Sequence, residues 1–376
     1  MHPKTSLLFT TYLSTIAQLN GVANTTRTFA VAPVIEQKLE EKLKESIEFL
    51  GQISIQNVTQ QSGQTLGIES SRPIASRTNT SGNVRRHPTD PTDNGETNSY
   101  NCLQTNFDWS RRYDKLDAWR HKPDFERLVA MAILKQQGRD MIMAGFNGVE
   151  RAAETDIEDN PMLEDLAEGW LFKIRDTAPA QVMNDGGLTV KTNGTNNAAL
   201  KAIYVKAGVE LFDGAAAHDA VGGSAHAVAD YSSLDALVLD AKRLLPEWHR
   251  NRTDLVVIVG ADLVDDKIFS IAQTTGTTAT EVEATDRILR STKTLGGLPA
   301  VQVSFFPANG LLITTLKNLA IYLQEGTRRR RLVDEPEYDR VANYESVNMD
   351  YVVEDYELVT LVENIVIGGA PARVAP

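Results

Sequence analysis

The sequence is poor in cysteine, in positive charge and in long apolar runs. Cys102 is the single cysteine among 376 residues, so no intrachain disulfide can form and no cysteine-based zinc set can be assembled. No apolar run approaches the ~18 residues that a membrane-spanning helix needs. Leu7 to Leu19 makes a poor signal peptide, because Thr10, Thr11, Ser14 and Thr15 interrupt it and Lys4 alone supplies a basic start. An intracellular product without a membrane partner fits these absences. Lys and Arg number 38 against 50 Asp and Glu, a net charge of −12, which argues against a dedicated nucleic-acid binder. Catalytic signatures are missing too. No serine sits in a G-x-S-x-G elbow. Val259-Gly260 lacks both G-x-G-x-x-G and a phosphate-binding lysine, so it reads as a structural glycine. His218, Asp219, His226 and Asp230 match no metal-ligand spacing. No catalytic, cofactor or metal residue is assigned, and the chain is not read as an enzyme.

What is present is a 42% hydrophobic chain long enough for two or three domains. One stretch orders the rest. Asp124 to Arg151 reads as a long helix, with Leu128, Met131, Leu134, Gly138, Met141, Ile142 and Gly145 at helical spacing. Gly138 and Gly145 would each cost about 1 kcal/mol there, so close packing against another element is expected. Leu8, Tyr12, Ile16 and Leu19 form a helical stripe near the start, with no obvious partner in the chain. A second helix follows Pro33 through Ile35, Leu39, Leu43, Ile47 and Leu50. Neither can bury its apolar face on itself.

Gln61 to Asn101 is rich in Ser, Thr, Asn and Gly, the composition of a disordered linker. Leu103, Thr105, Phe107, Trp109, Arg111 and Tyr113 then alternate with other residues as a strong return strand. Together they predict a long antiparallel excursion that must lie on another surface to be stable. Asn160-Pro161 predicts a helix start, and Ser232 with Asp235 a capping box. Leu255 to Val259 predicts a strand buried on both faces. Leu298 to Val303 and Leu311 to Thr314 predict strands joined through the Asn309-Gly310 turn, and Val347 to Val353 a late strand. Arg328, Arg329, Arg330 and Arg331, followed by Asp334, Glu335 and Glu337, predict a solvated or subunit-bridging ion-pair strip.

Five blocks carry a resemblance: Met143–Gly148 (MAGFNG), Asn160–Leu171 (NPMLEDLAEGWL), Asp254–Gly260 (DLVVIVG), Leu298–Val303 with Phe306-Pro307-Ala308, and Tyr344–Tyr356 (YESVNMDYVVEDY). In order along the chain, they resemble the major capsid proteins of the P2-like tailed bacteriophages (peduoviruses). The segment Lys206 to Asp230 departs from that pattern. The resemblance implies an α+β chain with the Hong Kong 97 capsid fold. It would have an N-terminal arm (1–52), an extended β-hairpin loop (53–115) and a peripheral domain with the spine helix (116–181). An axial domain (182–320) and strands returning to the peripheral domain, with the tail (321–376), would complete it. It implies a shell of hexamers and pentamers around packaged double-stranded DNA, contacted non-specifically, assembled in the bacterial host cytoplasm and residing in the virion. Implied partners are further copies of the chain, an internal scaffolding protein, a maturation protease and a portal protein.

On that reading Phe107, Trp109, Tyr113 and Arg328 to Arg331 are the expected assembly interface. Leu8, Tyr12, Ile16 and Leu19 form a scaffold-binding arm, trimmed between Asn20 and Pro33. The loop orders only in the shell, and Cys102 stays reduced. The fold's best-known member cross-links its subunits through a Lys–Asn bond. No lysine occurs from Glu45 to Asp114, so that chemistry is not carried over. The competing readings are another phage structural or scaffold protein, such as a tail tube, and an enzyme with an unrecognised site.

Overall fold

The structure, a computed structural model, describes residues 3–65, 75, 77, 79, 85–86, 99–119, 125–184, 202–205, 231, 233–263 and 294–367. Among them the helices are α1 (Pro3–Leu19), α2 (Pro33–Ser46), α3 (Glu48–Gln52), α4 (Tyr113–Trp119), α5 (Phe125–Asn147), α6 (Trp170–Thr177), α7 (Leu234–Ala241) and α8 (Glu247–Arg250). The strands are β1 (Phe29–Ala30), β2 (Ser54–Val58), β3 (Ser62–Gln64), β4 (Ser99–Asn101), β5 (Leu103–Asn106), β6 (Trp109–Arg112), β7 (Val182–Met183), β8 (Ile203–Val205), β9 (Val256–Val259), β10 (Thr294–Leu295), β11 (Leu298–Gln302), β12 (Leu311–Thr314), β13 (Leu319–Gln324), β14 (Arg329–Glu335), β15 (Arg340–Val353), β16 (Thr360–Val362) and β17 (Ile365–Ile367).

The chain forms two compact units. The first comprises Met1–Ser46, Ile55–Gln137 and Ala320–Asp355. Its frame is a seven-stranded sheet in the order β1-β14-β15-β13-β2, with β5 and β6 also paired to β15. At 14 residues, β15 is long enough to take β5 along 346–349 and β6 along 340–343, while β14 pairs along 340–346. One face carries a cluster of Ile16, Phe29, Val31 and Leu332, with Tyr12, Leu13, Val22, Ile35 and Leu39 packed against it. The two amphipathic N-terminal helices therefore bury their stripes on their own chain. The second apolar stripe is broken at Ile47, which is extended (φ −138°) between α2 and α3.

The second unit comprises Ile47–Ser54, Gly138–Leu319 and Tyr356–Pro376. Its six-stranded sheet runs β10-β11-β9-β12-β16-β7. β9 is central, parallel to β11 and antiparallel to β12, which explains its unbroken apolar run. β11 and β12 flank β9 and do not form a hairpin, so the Asn309-Gly310 turn serves a connection across that strand. Gly260 is structural as expected: a Cβ there would stand 2.0 Å from the Ala308 carbonyl oxygen. A second apolar centre stacks Phe146 against Phe49, Trp170 and Phe306 at 5.7, 5.1 and 5.1 Å. Gly145 permits it, since a Cβ there would meet the Trp170 ring at 2.5 Å.

Three expected elements are corrected. The helix predicted from Asn160-Pro161 is confined to Trp170–Thr177. Leu163 is left-handed (φ 59°), and the Glu164 and Asp165 carbonyls instead accept hydrogen bonds from Val149, Glu150 and Ala152. The cap of α7 is Ser233, whose Oγ accepts from the Ala236 amide, while the Asp235 carboxylate accepts from the Gly296 amide. The long helix stops at Asn147, because Gly148 is pressed against the Ala167 carbonyl oxygen at 2.0 Å from its virtual Cβ. The segment 206–230, with His218, Asp219, His226 and Asp230, lies outside the described residues, as does most of 66–98.

Candidate assembly interface

The arginine run is a strand, and its alternation divides it in two. Successive residues of β14 point to opposite faces, and antiparallel partners directly opposite share a face. Arg330 lies opposite Glu345, Arg329 opposite Ser346 and Arg331 opposite Tyr344. Arg328, just before the strand, and Arg330 point inward. Arg328 is 5% exposed and Glu345 6%, joined by Nε to Oε1 at 2.8 Å and Nη2 to Oε1 at 2.6 Å. Arg330 donates to Asn343 Oδ1 at 2.7 Å and approaches Glu345 Oε2 at 3.9 Å. Burial would raise the Glu345 carboxyl, but Arg328, then Arg330, hold it below the ordinary range. This half of the run is an internal clamp, which overturns the expectation of a solvated strip for Arg328 and Arg330.

Two more acids face Arg328 from α2. Glu36 and Glu40 are buried, and both carboxyls are pushed up chiefly by desolvation. Arg328 opposes that rise at both, and the Asn57 amide donates to Glu40 at 3.1 Å. Helical spacing in the sequence lets Glu40 pair with Lys44 across a turn. The missed signal is that Ile35, Glu36, Leu39, Glu40 and Leu43 form one continuous stripe, so the acids lie within the buried face.

Arg329 and Arg331 point outward. They line a cleft of about 320 Å³ with Thr28, Asn106, Tyr344 and Ser346. Arg331 Nε donates to the Thr26 carbonyl at 2.9 Å. Among the described residues Arg329 makes no ion pair.

The return strand is docked on its own chain. β5 and β6 pair with β15, and the chain kinks between them, where the Phe107 amide donates to the Glu345 carbonyl at 2.7 Å and the Asp108 carboxylate accepts from the Glu345 amide at 2.9 Å. The expectation that this stretch lies on another surface is met for 103–112 within the chain: the long β15 supplies that surface. Trp109 is half-buried opposite Asn343, on the face shared with Leu332. Among the described residues its Nε1 and the Asn343 Nδ2 are buried without hydrogen-bond partners, an arrangement that costs stability. Tyr113 begins α4, and its hydroxyl donates to Asp334; desolvation and that carboxylate push the phenol up to about 12. Cys102 is fully buried, its Sγ 3.8 Å from the Tyr322 carbonyl.

The arm residues separate as well. Ile16 is buried and Tyr12 half-buried against the sheet, with the Tyr12 hydroxyl 3.4 Å from Arg330 Nη2, whereas Leu19 is 58% exposed. The stripe thus has a partner in its own chain, where the sequence offered no obvious one. The Leu8 side chain lies outside the described residues. Leu7, 70% exposed, joins Leu19 on the outward side.

Among the described residues no group of three His, Cys, Asp or Glu could hold a metal, and no helix is long and apolar enough to cross a membrane. The family model for phage major capsid proteins of the P2 family matches residues 8–365. The chain is 42% identical to the capsid protein of Escherichia phage P2, with 99% of this chain and 98% of that protein covered. It is 38% identical to the major capsid protein of Serratia phage KSP20, with 95% of each covered. Among solved structures it is similar to a chain of the satellite phage P4 procapsid that includes the size determination (Sid) protein. There the identity is 39% and the TM-score 0.75, with 98% of this chain and 99% of that chain covered.

Proposed function

The chain belongs to the P2 family of phage major capsid proteins, and from that premise we propose how its parts serve the shell. It adopts the Hong Kong 97 capsid fold and forms the icosahedral capsid of the virion. The observation that carries this reading is the length of the likeness: 42% identity runs over 99% of the chain, so the capsid role rests on no isolated motif.

In the proposal, copies tile the shell as hexamers and pentamers through heterologous contacts that close into rings. Residues 1–52 act as the arm and 53–115 as the extended loop. Residues 116–181 and 321–376 form the peripheral domain, and 182–320 the axial domain. Assembly takes place in the host cytoplasm with an internal scaffolding protein, a maturation protease and a portal protein. The surplus of acids over bases suits a container that touches packaged DNA without gripping it. The subunit acts through contacts, and no catalysis is assigned to it.

The arm holds the scaffold by the outward side of α1, where Leu7 and Leu19 are exposed, and anchors to its own sheet by Tyr12 and Ile16. Trimming falls between Asn20 and Pro33 and takes Ile16 out of its cluster with Phe29, Val31 and Leu332. Co-expression with the scaffolding protein tests both halves. Deleting residues 1–20 should leave a folded subunit that makes few or misshapen shells; normal shells would remove the scaffold role. Intact-mass measurement of mature particles should find a trimmed subunit, and one beginning at Met1 or His2 would remove the cleavage.

A further inference from the structure

The chain carries a second charged feature that its own contacts leave unused. Residues 149–160 leave α5 as an acidic loop, with Glu150, Glu154, Asp156, Glu158 and Asp159 all exposed. The loop is preorganised. Val149 and Glu150 donate to the Glu164 carbonyl at 2.7 and 3.1 Å, and Ala152 donates to the Asp165 carbonyl at 2.9 Å. Asp156 donates its amide to the Asp165 carboxylate at 2.6 Å and accepts from the Glu158 amide at 2.9 Å. Asp156 is therefore occupied in shaping the turn. Among the described residues the carboxylates of Glu154, Glu158 and Asp159 have no partner. In their midst Ile157 is 70% exposed, an apolar residue held out to solvent on an ordered loop.

The cleft of Arg329 and Arg331 has the complementary character. Two guanidiniums two residues apart on one strand stand on the same face, in a concavity of about 320 Å³. Of its two acids, Glu345 is clamped by Arg328, while Asp108 accepts from the Glu345 amide and keeps its charge. Arg329 and Arg331 against Asp108 leave the cleft one positive charge in excess, in a chain whose net charge of −12 makes copies repel one another overall. A positive concavity that meets a preformed acidic loop would fix both approach and register in such an assembly. Guanidiniums also suit carboxylates geometrically, through paired N–H donors.

We propose that the Arg329–Arg331 cleft of one subunit receives the acidic loop of a second copy, with Glu154 and Glu158 facing the guanidiniums and Ile157 covered by the contact. Each copy then gives one loop and takes one, a head-to-tail contact of the kind that closes into rings. The proposal rests on the shell-forming role, and wild-type shells made in parallel separate a failure of that role from a failure of this contact.

The test is charge reversal in the full chain, co-expressed with the scaffolding protein. Arg329→Glu with Arg331→Glu, and separately Glu154→Lys with Glu158→Lys, should each lower shell yield about tenfold, the change produced by about 1.4 kcal/mol. Combining the four substitutions should restore yield to within about threefold of wild type, the mark of coupled sites. Melting of the soluble subunits checks that each variant folds. Wild-type yield from either reversal overturns the proposal. So does loss without recovery in the combined variant, which would assign the cleft to another acidic partner. Independently, Ser346→Cys with Ile157→Cys should give disulfide-linked ladders in oxidised shells where neither substitution alone does. Absence of ladders from intact shells would equally overturn the contact.

Discussion

Arg328→Ala should be the most damaging single substitution in the first unit, and more damaging than Glu345→Ala. Arg328 is the cation that three buried carboxylates share: it pairs with Glu345 and lowers Glu36 and Glu40 against their desolvation. Removing one member of a buried pair costs about 3–5 kcal/mol, because the other is left uncompensated. Loss of Arg328 weakens the support of three acids at once, leaving Glu345 with Arg330 at 3.9 Å and Glu40 with the Asn57 amide, so the upper end, about 5 kcal/mol, is expected. Loss of Glu345 leaves Arg328 with Glu36 and Glu40, so about 2–3 kcal/mol is expected.

The pH dependence has a definite sign. Glu36 and Glu40 sit above their ordinary value of 4.5 in the folded chain, so their contribution is fully present below 4.5 and is lost as pH rises through the raised values. Glu345 sits below 4.5, so its contribution is present above that value and is lost as pH falls through the lowered one. Without Arg328 the first two carboxyls rise further and the third loses its support. The deficit of Arg328→Ala relative to wild type should therefore be larger at pH 8 than at pH 5. Urea titrations of the soluble subunit at both pH values measure it. Equal losses for the two substitutions, or a larger Arg328→Ala deficit at pH 5, would refute the reasoning.

Other substitutions separate the packing claims. Trp109→Ala should destabilise the free subunit by about 2–3 kcal/mol, since the ring is part of the intrachain sheet; a normal melt with failed assembly would return Trp109 to the subunit interface. Gly145→Ala should cost about 2–3 kcal/mol or more, because its Cβ would overlap the Trp170 ring; an unchanged melting temperature would contradict the packing around Phe146. Cys102 should resist thiol reagents in the native subunit and react fully in denaturant, with no disulfide-linked dimers in particles on non-reducing gels. Rapid native labelling would show that the 103–112 strand lifts from β15.

Much of the frame could be read from residue pattern, because it depends on short-range periodicity. The continuous run at Leu255 to Val259 announced the central β9, and the small residues of the long helix announced the close approach of Trp170 to Gly145. The failures share a physical origin. The basic run at Arg328 to Arg331 reads by type as a solvated or subunit-bridging strip, whereas strand alternation turns Arg328 and Arg330 inward and the α2 stripe buries Glu36 and Glu40 facing Arg328. The approach of the α2 acids to Arg328, about 290 residues away, leaves no local trace. The return strand showed its alternation but not its partner, since only the length of β15 reveals room for both β5 and β6. The Asn160-Pro161 start was a correct local signal defeated by tertiary demand: the Glu164 and Asp165 carbonyls are needed to hold the acidic loop.

The central claim is that the subunit is framed by contacts within its own chain and joins its neighbours through outward surfaces to close a shell. Cryo-electron microscopy of particles from scaffold co-expression tests it most directly. The predicted result is a closed icosahedral shell in which residues 103–112 pair with β15 of the same chain and Arg328 clamps the Glu345 of that chain. Tubes or open sheets, or a map in which 103–112 pairs with a neighbouring subunit's sheet, would contradict it.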